Sequence, residues 1–174
     1  GIIVNHDHLW KNNKDIKKEY DIDTEVLLSI IGYKVAENKE SLENILTDSI
    51  NKVYGTVAAA IFFKDLNKFA IATNNGSLYK ISIENELLIF ASEQNILNEV
   101  SKKIKLTKSI GNFMIEQISS ESGTIINLDN LSFSNFGFKD TPKKTPNYSS
   151  NKYQLKLNVS DINPEKQVFS QICA

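Results

Sequence analysis

Hydrophobic positions along the sequence change their spacing several times, and each change predicts an element. Gly1-Ile2-Ile3-Val4 is apolar and β-branched and ends abruptly at polar residues, which predicts the end of a strand. His6 to about Asn13 reads as a short helix that Asn5 or Asp7 can cap, with Leu9 and Trp10 as its buried face. After lysine-rich turns, Asp21-Ile22-Asp23-Thr24-Glu25 precedes Val26, Leu27, Ile30, Ile31 and Val35, a stripe at helical spacing behind capping residues. Leu42, Ile45, Leu46, Ile50 and Val53 predict a second long helix behind Ser41, stopping before Gly55.

The spacing then shortens. TVAAAIFF, residues 56–63, is apolar without alternation, which predicts a strand covered on both faces. Lys64 to Lys68 turns into FAIAT. Asn74-Asn75-Gly76 turns into LYKISI, and Glu84-Asn85-Glu86 turns into LLIFAS. Four strands at hairpin spacing predict an antiparallel meander. Ser92 can cap a helix carrying Ile96, Leu97 and Val100, and short strands are expected near 113–118 and 124–128. Beyond Phe138 the sequence becomes polar and proline-bearing, so residues 1–138 read as a domain and 139–174 as a linker or extended arm, with YQLKLNV as a potential edge strand.

Composition narrows the functional classes. A polypeptide of 174 residues with 41% apolar content is able to bury one sizeable core. A net charge of −1 from interleaved acidic and basic residues offers no field for nucleic acid or an anionic membrane. All twenty basic side chains are lysine, so no guanidinium fork is present to grip a carboxylate. No basic-then-apolar leader precedes Gly1 and no apolar run approaches the roughly 20 residues of a membrane helix, which points to a cytoplasmic protein. The lone cysteine, Cys173, has no intrachain disulfide partner, in keeping with a reducing compartment.

The candidate chemistry is sparse. His6 and His8 are two residues apart, which sends their rings to different sides and makes a metal site the weaker reading beside exposed imidazoles at a helix start. No Gly-x-Ser-x-Gly elbow and no glycine-rich phosphate loop occurs, and no cofactor is implied. Asp23 remains, with two readings by residue type: a cap at the start of a helix, or a carboxylate that binds a substrate ammonium.

GIIVNHDHLW, followed about twenty residues later by DIDTEVLLSII, resembles the glutamine-binding region of class II glutamine amidotransferases, whose pattern is Asn-Gly-x-Ile-x-Asn, a short helix, then (Ser/Thr)-Asp-Thr-Glu-Val. The similarity continues through YGTVAAAIFF, the polar hairpin, NNGSL and the Ser92-Glu93 helix start, to about Leu128. Ile22 and Leu78 depart from the pattern.

The resemblance implies an α+β fold, the four-layer αββα sandwich of two antiparallel sheets found in N-terminal nucleophile hydrolases. It implies hydrolysis of the side-chain amide of L-glutamine by an N-terminal cysteine, supplying ammonia to a synthase domain or subunit. DTEVLLSI and LLIFASE are similar to asparagine-synthetase-like members. On this resemblance Gly1 would contribute its backbone N–H to the oxyanion hole, beside a preceding asparagine, and Asp23 would hold the α-ammonium of glutamine. The nucleophile and the carboxylate-binding arginine would lie in an N-terminal segment outside this chain. The protein is then expected to be a C-terminal portion of the domain, inactive alone. The alternative is a non-catalytic sandwich module that has lost the glutaminase centre.

Overall fold

A computed structural model of the protein describes residues 1–83, 85–106 and 111–138. The elements run in the order β1 (Ile2–Ile3), α1 (His6–Asn12), α2 (Glu25–Glu37), α3 (Leu42–Asn51), β2 (Gly55–Thr56), β3 (Ala58–Phe63), β4 (Lys68–Thr73), β5 (Tyr79–Ile83), β6 (Leu87–Ala91), α4 (Gln94–Lys103), β7 (Glu116–Gln117), β8 (Ser122–Asn127) and β9 (Phe133–Gly137).

The two long helices follow from their apolar stripes. Val26, Leu27, Ile30 and Ile31 of α2 are buried, as are Leu42, Ile45, Leu46 and Ile50 of α3. Removal from water of each such group contributes about 1.5–3 kcal/mol. Ser41 caps α3 as expected, its hydroxyl accepting the Asn44 N–H at 3.3 Å. α2 ends where Asn38 turns left-handed at φ 50°, a conformation that asparagine tolerates. Across the α2–α3 contact, the Asp48 carboxylate receives both the Lys34 and the Lys52 ammonium groups.

Two antiparallel sheets carry the rest. The first has the order β3-β4-β8-β9 and the second β6-β5-β7, while β1 and β2 pair separately. Successive residues of β4 point to opposite faces. Ala70 and Ala72 join the cluster that holds α1, α2 and α3, whereas Phe69 and Ile71 join Leu88 of the second sheet and Leu78 and Ile118, which flank its strands β5 and β7. β8 does the same, with Ile125 toward the helices and Ile126 toward the second sheet. The far face of the second sheet presents Ile81, Leu87 and Ile89 to Leu97 of α4. These apolar layers separate helices, sheet, sheet and helix, the αββα arrangement with its sheets stacked face to face. Among the described residues no helix is long and apolar enough to cross a membrane.

Three expectations need correcting. The four strands do not form one meander: β3–β4 and β5–β6 are hairpins assigned to different sheets. The residues of TVAAAIFF are not covered on both faces. β3 lies at the end of its sheet, with Ala59 and Ile61 packed toward the helices, while Ala58, Ala60 and Phe62 on the other face are exposed, Phe62 to 59%. The doubly covered strands are β4 and β8, which have a neighbour on each side. α4 begins at Gln94, and neither Ser92 nor Glu93 caps it through a side group. β9 has no counterpart among the expected strands, because LSFSNFGF lacks clear alternation. YQLKLNV and Cys173 lie outside the described residues.

Candidate functional site

The site grows from the close approach of the first residues to the β2 corner. Ile2 pairs with Thr56 and Ile3 with Gly55. The approach is so tight that a Cβ on Gly1 would stand 2.4 Å from the Thr56 carbonyl oxygen, and one on Gly55 would stand 2.0 Å from the Ile2 carbonyl oxygen. Gly55 also has φ +129°, which a side group opposes. Both positions therefore require glycine for a steric reason.

Asn5 locks the same corner. It is buried, donates from Nδ2 to the Lys52 carbonyl at 2.9 Å and accepts the Tyr54 N–H on Oδ1 at 2.8 Å. Its amide does not cap α1. From the other side, Asn74 accepts the Val57 N–H at 2.8 Å and donates to the Gly55 carbonyl at 3.0 Å. Sequence presents Asn5 and Asn74 as cap and turn residues. The signal that they bind remote backbone is absent from local spacing.

Asp23 is not a helix cap either. Its Oδ2 accepts the Ile3 N–H at 2.7 Å, which ties the start of α2 to the residue two after Gly1. The residue is half-buried, and among the described residues no hydrogen bond is made to its Oδ1. The structure thus brings the two sequence-predicted residues, Gly1 and Asp23, to one corner.

A cleft of about 750 Å³ opens beside them. Gly1 and Thr56 lie at one end, Ala58 and Ala60 of β3 form one wall, and Leu27 and Leu28 of α2 form another. Lys17, Glu19 and Tyr20, from the connection between α1 and α2, complete the rim. Asp23 sits between the lining residues Ile22 and Thr24 and does not itself line the cleft. An apolar channel with charged groups at its edge suits a small polar molecule held by its charged end.

The histidines stand apart from this corner's chemistry. His6 faces Asp7 at 3.5 Å, and His8 Nε2 lies 2.9 Å from the Asn12 amide nitrogen. Among the described residues no group of three or more His, Cys, Asp or Glu residues gathers as a metal-ligand set.

No family model matches the protein. Over 112 residues it is 29% identical to the glutamine–fructose-6-phosphate aminotransferase (isomerizing) of Buchnera aphidicola subsp. Acyrthosiphon pisum, covering 59% of this chain and 18% of that protein. Among solved structures it is similar to glutamine phosphoribosylpyrophosphate (PRPP) amidotransferase from B. subtilis, with a TM-score of 0.59 and 18% identity over 79% of this chain and 28% of that one. It is also similar to a protein described as the allosteric regulatory enzyme of purine biosynthesis, with a TM-score of 0.57 and 18% identity over 79% of this chain and 27% of that one. The chain spans less than a third of the length of each of these proteins, and the structural likenesses carry the fold alone. The protein therefore has the sequence likeness and the fold of the class II glutamine amidotransferases, the family that its motifs resemble.

Proposed function

We propose that this chain is the part of a class II glutamine amidotransferase domain that binds L-glutamine by its α-ammonium group, within a glutaminase whose nucleophile lies outside it. The observation that carries this reading is the hydrogen bond from the Ile3 N–H to Asp23 Oδ2 at 2.7 Å. That bond ties Asp23, the candidate ammonium ligand, to the backbone two residues after Gly1, the candidate oxyanion donor, which borders the cleft.

Each residue has a chemical task on this reading. One carboxylate oxygen of Asp23 is fixed by the backbone, which leaves the other oriented for a charge-assisted bond to the substrate ammonium. The Gly1 N–H would stabilise the oxyanion that forms when the amide carbonyl is attacked, beside a preceding asparagine. The net reaction breaks the amide C–N bond of glutamine, adds water and yields glutamate and ammonia. Ammonia would pass to a synthase partner, of which an amide-forming enzyme of the asparagine-synthetase kind is one. The cysteine nucleophile and the arginine for the substrate carboxylate would come from an upstream segment, in keeping with a sequence that has no arginine.

The test is titration with L-glutamine, followed by calorimetry, of the wild-type protein and Asp23→Asn. Asparagine keeps an acceptor for the Ile3 amide and removes the charge, so affinity should fall about ten- to a hundredfold with the fold retained. Unchanged affinity in a folded Asp23→Asn variant would sink the assignment. Supplying the upstream segment should then release ammonia from glutamine; binding without release favours the non-catalytic module.

A further inference from the structure

Glu25 is the first residue of α2, yet its carboxylate reaches back toward the preceding loop. Oε1 accepts the Glu19 N–H at 2.7 Å and Oε2 accepts the Tyr20 N–H at 2.9 Å. The Glu25 N–H itself donates to the Ile22 carbonyl at 3.2 Å. Residues 19–25 are thereby closed into a ring with Asp23 inside it. The residues just before them have only light anchoring: Ile16 rests on the helical core cluster, and Lys18 pairs with Asp21 at 2.8 Å on the surface.

Two consecutive backbone N–H groups on the two oxygens of one residue define what that residue must be. A carboxylate offers two acceptor oxygens and no donor, whereas a glutamine would turn an NH₂ group toward one of the two N–H groups. The charge also makes each bond roughly twice as strong as its neutral counterpart. The restrained segment includes Glu19 and Tyr20 on the cleft rim and runs directly into Asp23.

We infer that Glu25 is a positioning residue: it holds residues 19–22 as the rim of the cleft and thereby fixes the Asp23 carboxylate for the substrate ammonium. This rests on the amidotransferase reading above. Glu25 borders the same cleft, but both of its carboxylate oxygens already accept backbone N–H groups of the loop, so its contribution on this reading is preorganisation of the binding group.

The experiment compares the full-length protein as wild type, Glu25→Gln, Glu25→Ala and Asp23→Asn, reading amide hydrogen exchange at Glu19 and Tyr20 together with glutamine affinity. In Glu25→Ala, exchange at both amides should quicken and glutamine should bind about tenfold more weakly. Glu25→Gln, which retains one acceptor oxygen, should fall between wild type and alanine. If Asp23→Asn weakens glutamine binding as expected while Glu25→Ala leaves affinity and exchange intact, the positioning role is overturned and the amidotransferase reading stands. If neither Asp23→Asn nor Glu25→Ala alters the response to glutamine, both fail.

Discussion

Asn5 shows how much a single residue decides here. Its two hydrogen bonds span 47 and 49 residues of sequence and hold the β1–β2 corner against which Gly1 and Gly55 fit. The histidines that follow it, conspicuous in the sequence, hold nothing comparable. Gly55→Ala should be far more damaging than an ordinary surface exchange, because the new methyl collides with the Ile2 carbonyl at an unfavourable φ. A loss of about 2 kcal/mol or more in urea unfolding is expected, and a loss below about 0.5 kcal/mol would show that the corner can relax. Local rules make Asn5, Asp7 and Asp23 into helix caps because these residue types favour caps. The partners of Asn5 and Asp23 are instead backbone groups brought near by tertiary structure, so no window around them reveals the bonds. Asp23 is legible as a functional candidate through the motif alone, and Glu25 stands in the same motif without a role.

Among the elements, the long helices are the most legible, since stripes such as Val26, Leu27, Ile30 and Ile31 set period and burial together. Strand β3 is easily misread because alanine carries little information about exposure: Ala58 and Ala60 look like core in a run of apolar letters but face outward. The division of the two hairpins between two sheets is equally invisible, since hairpin spacing fixes partners within a pair and not between pairs. The α2–α3 contact gives a pH prediction. Burial alone would raise the Asp48 carboxyl, but the hydrogen bonds from Lys34 and Lys52 outweigh it and hold the group below the usual aspartate value. A depressed carboxylate stabilises the fold above its ordinary pKa, about 3.9, and loses that contribution as pH falls through its folded value. Asp48 is substantially exposed, so the effect should stay below about 1 kcal/mol. Asp48→Asn should lower the melting temperature modestly at neutral pH, and the difference from wild type should vanish in strong acid; a gap that persists there would point to packing instead.

At the scale of the whole molecule, the layered arrangement rests on the residues that meet between the sheets. Ile71 is fully buried there, whereas Phe62, one strand away on the same sheet face, stands exposed. Ile71→Ala should therefore cost about 2–5 kcal/mol in chemical denaturation, and Phe62→Ala well under about 1 kcal/mol. Equal losses would mean that Phe62 is covered and that the stacking described above is wrong. The αββα order follows from motif resemblance rather than from the strand pattern, and the three core clusters supply the physical basis that the pattern lacks.

The β1–β2 pairing also dictates when the corner can assemble. Ile2 pairs with Thr56 across three intervening helices, so this pairing closes a long loop, whose entropic cost favours forming it after the local helical contacts. The β1–β2 corner should thus be among the last parts to lock during refolding and among the first to open when α2 and α3 loosen.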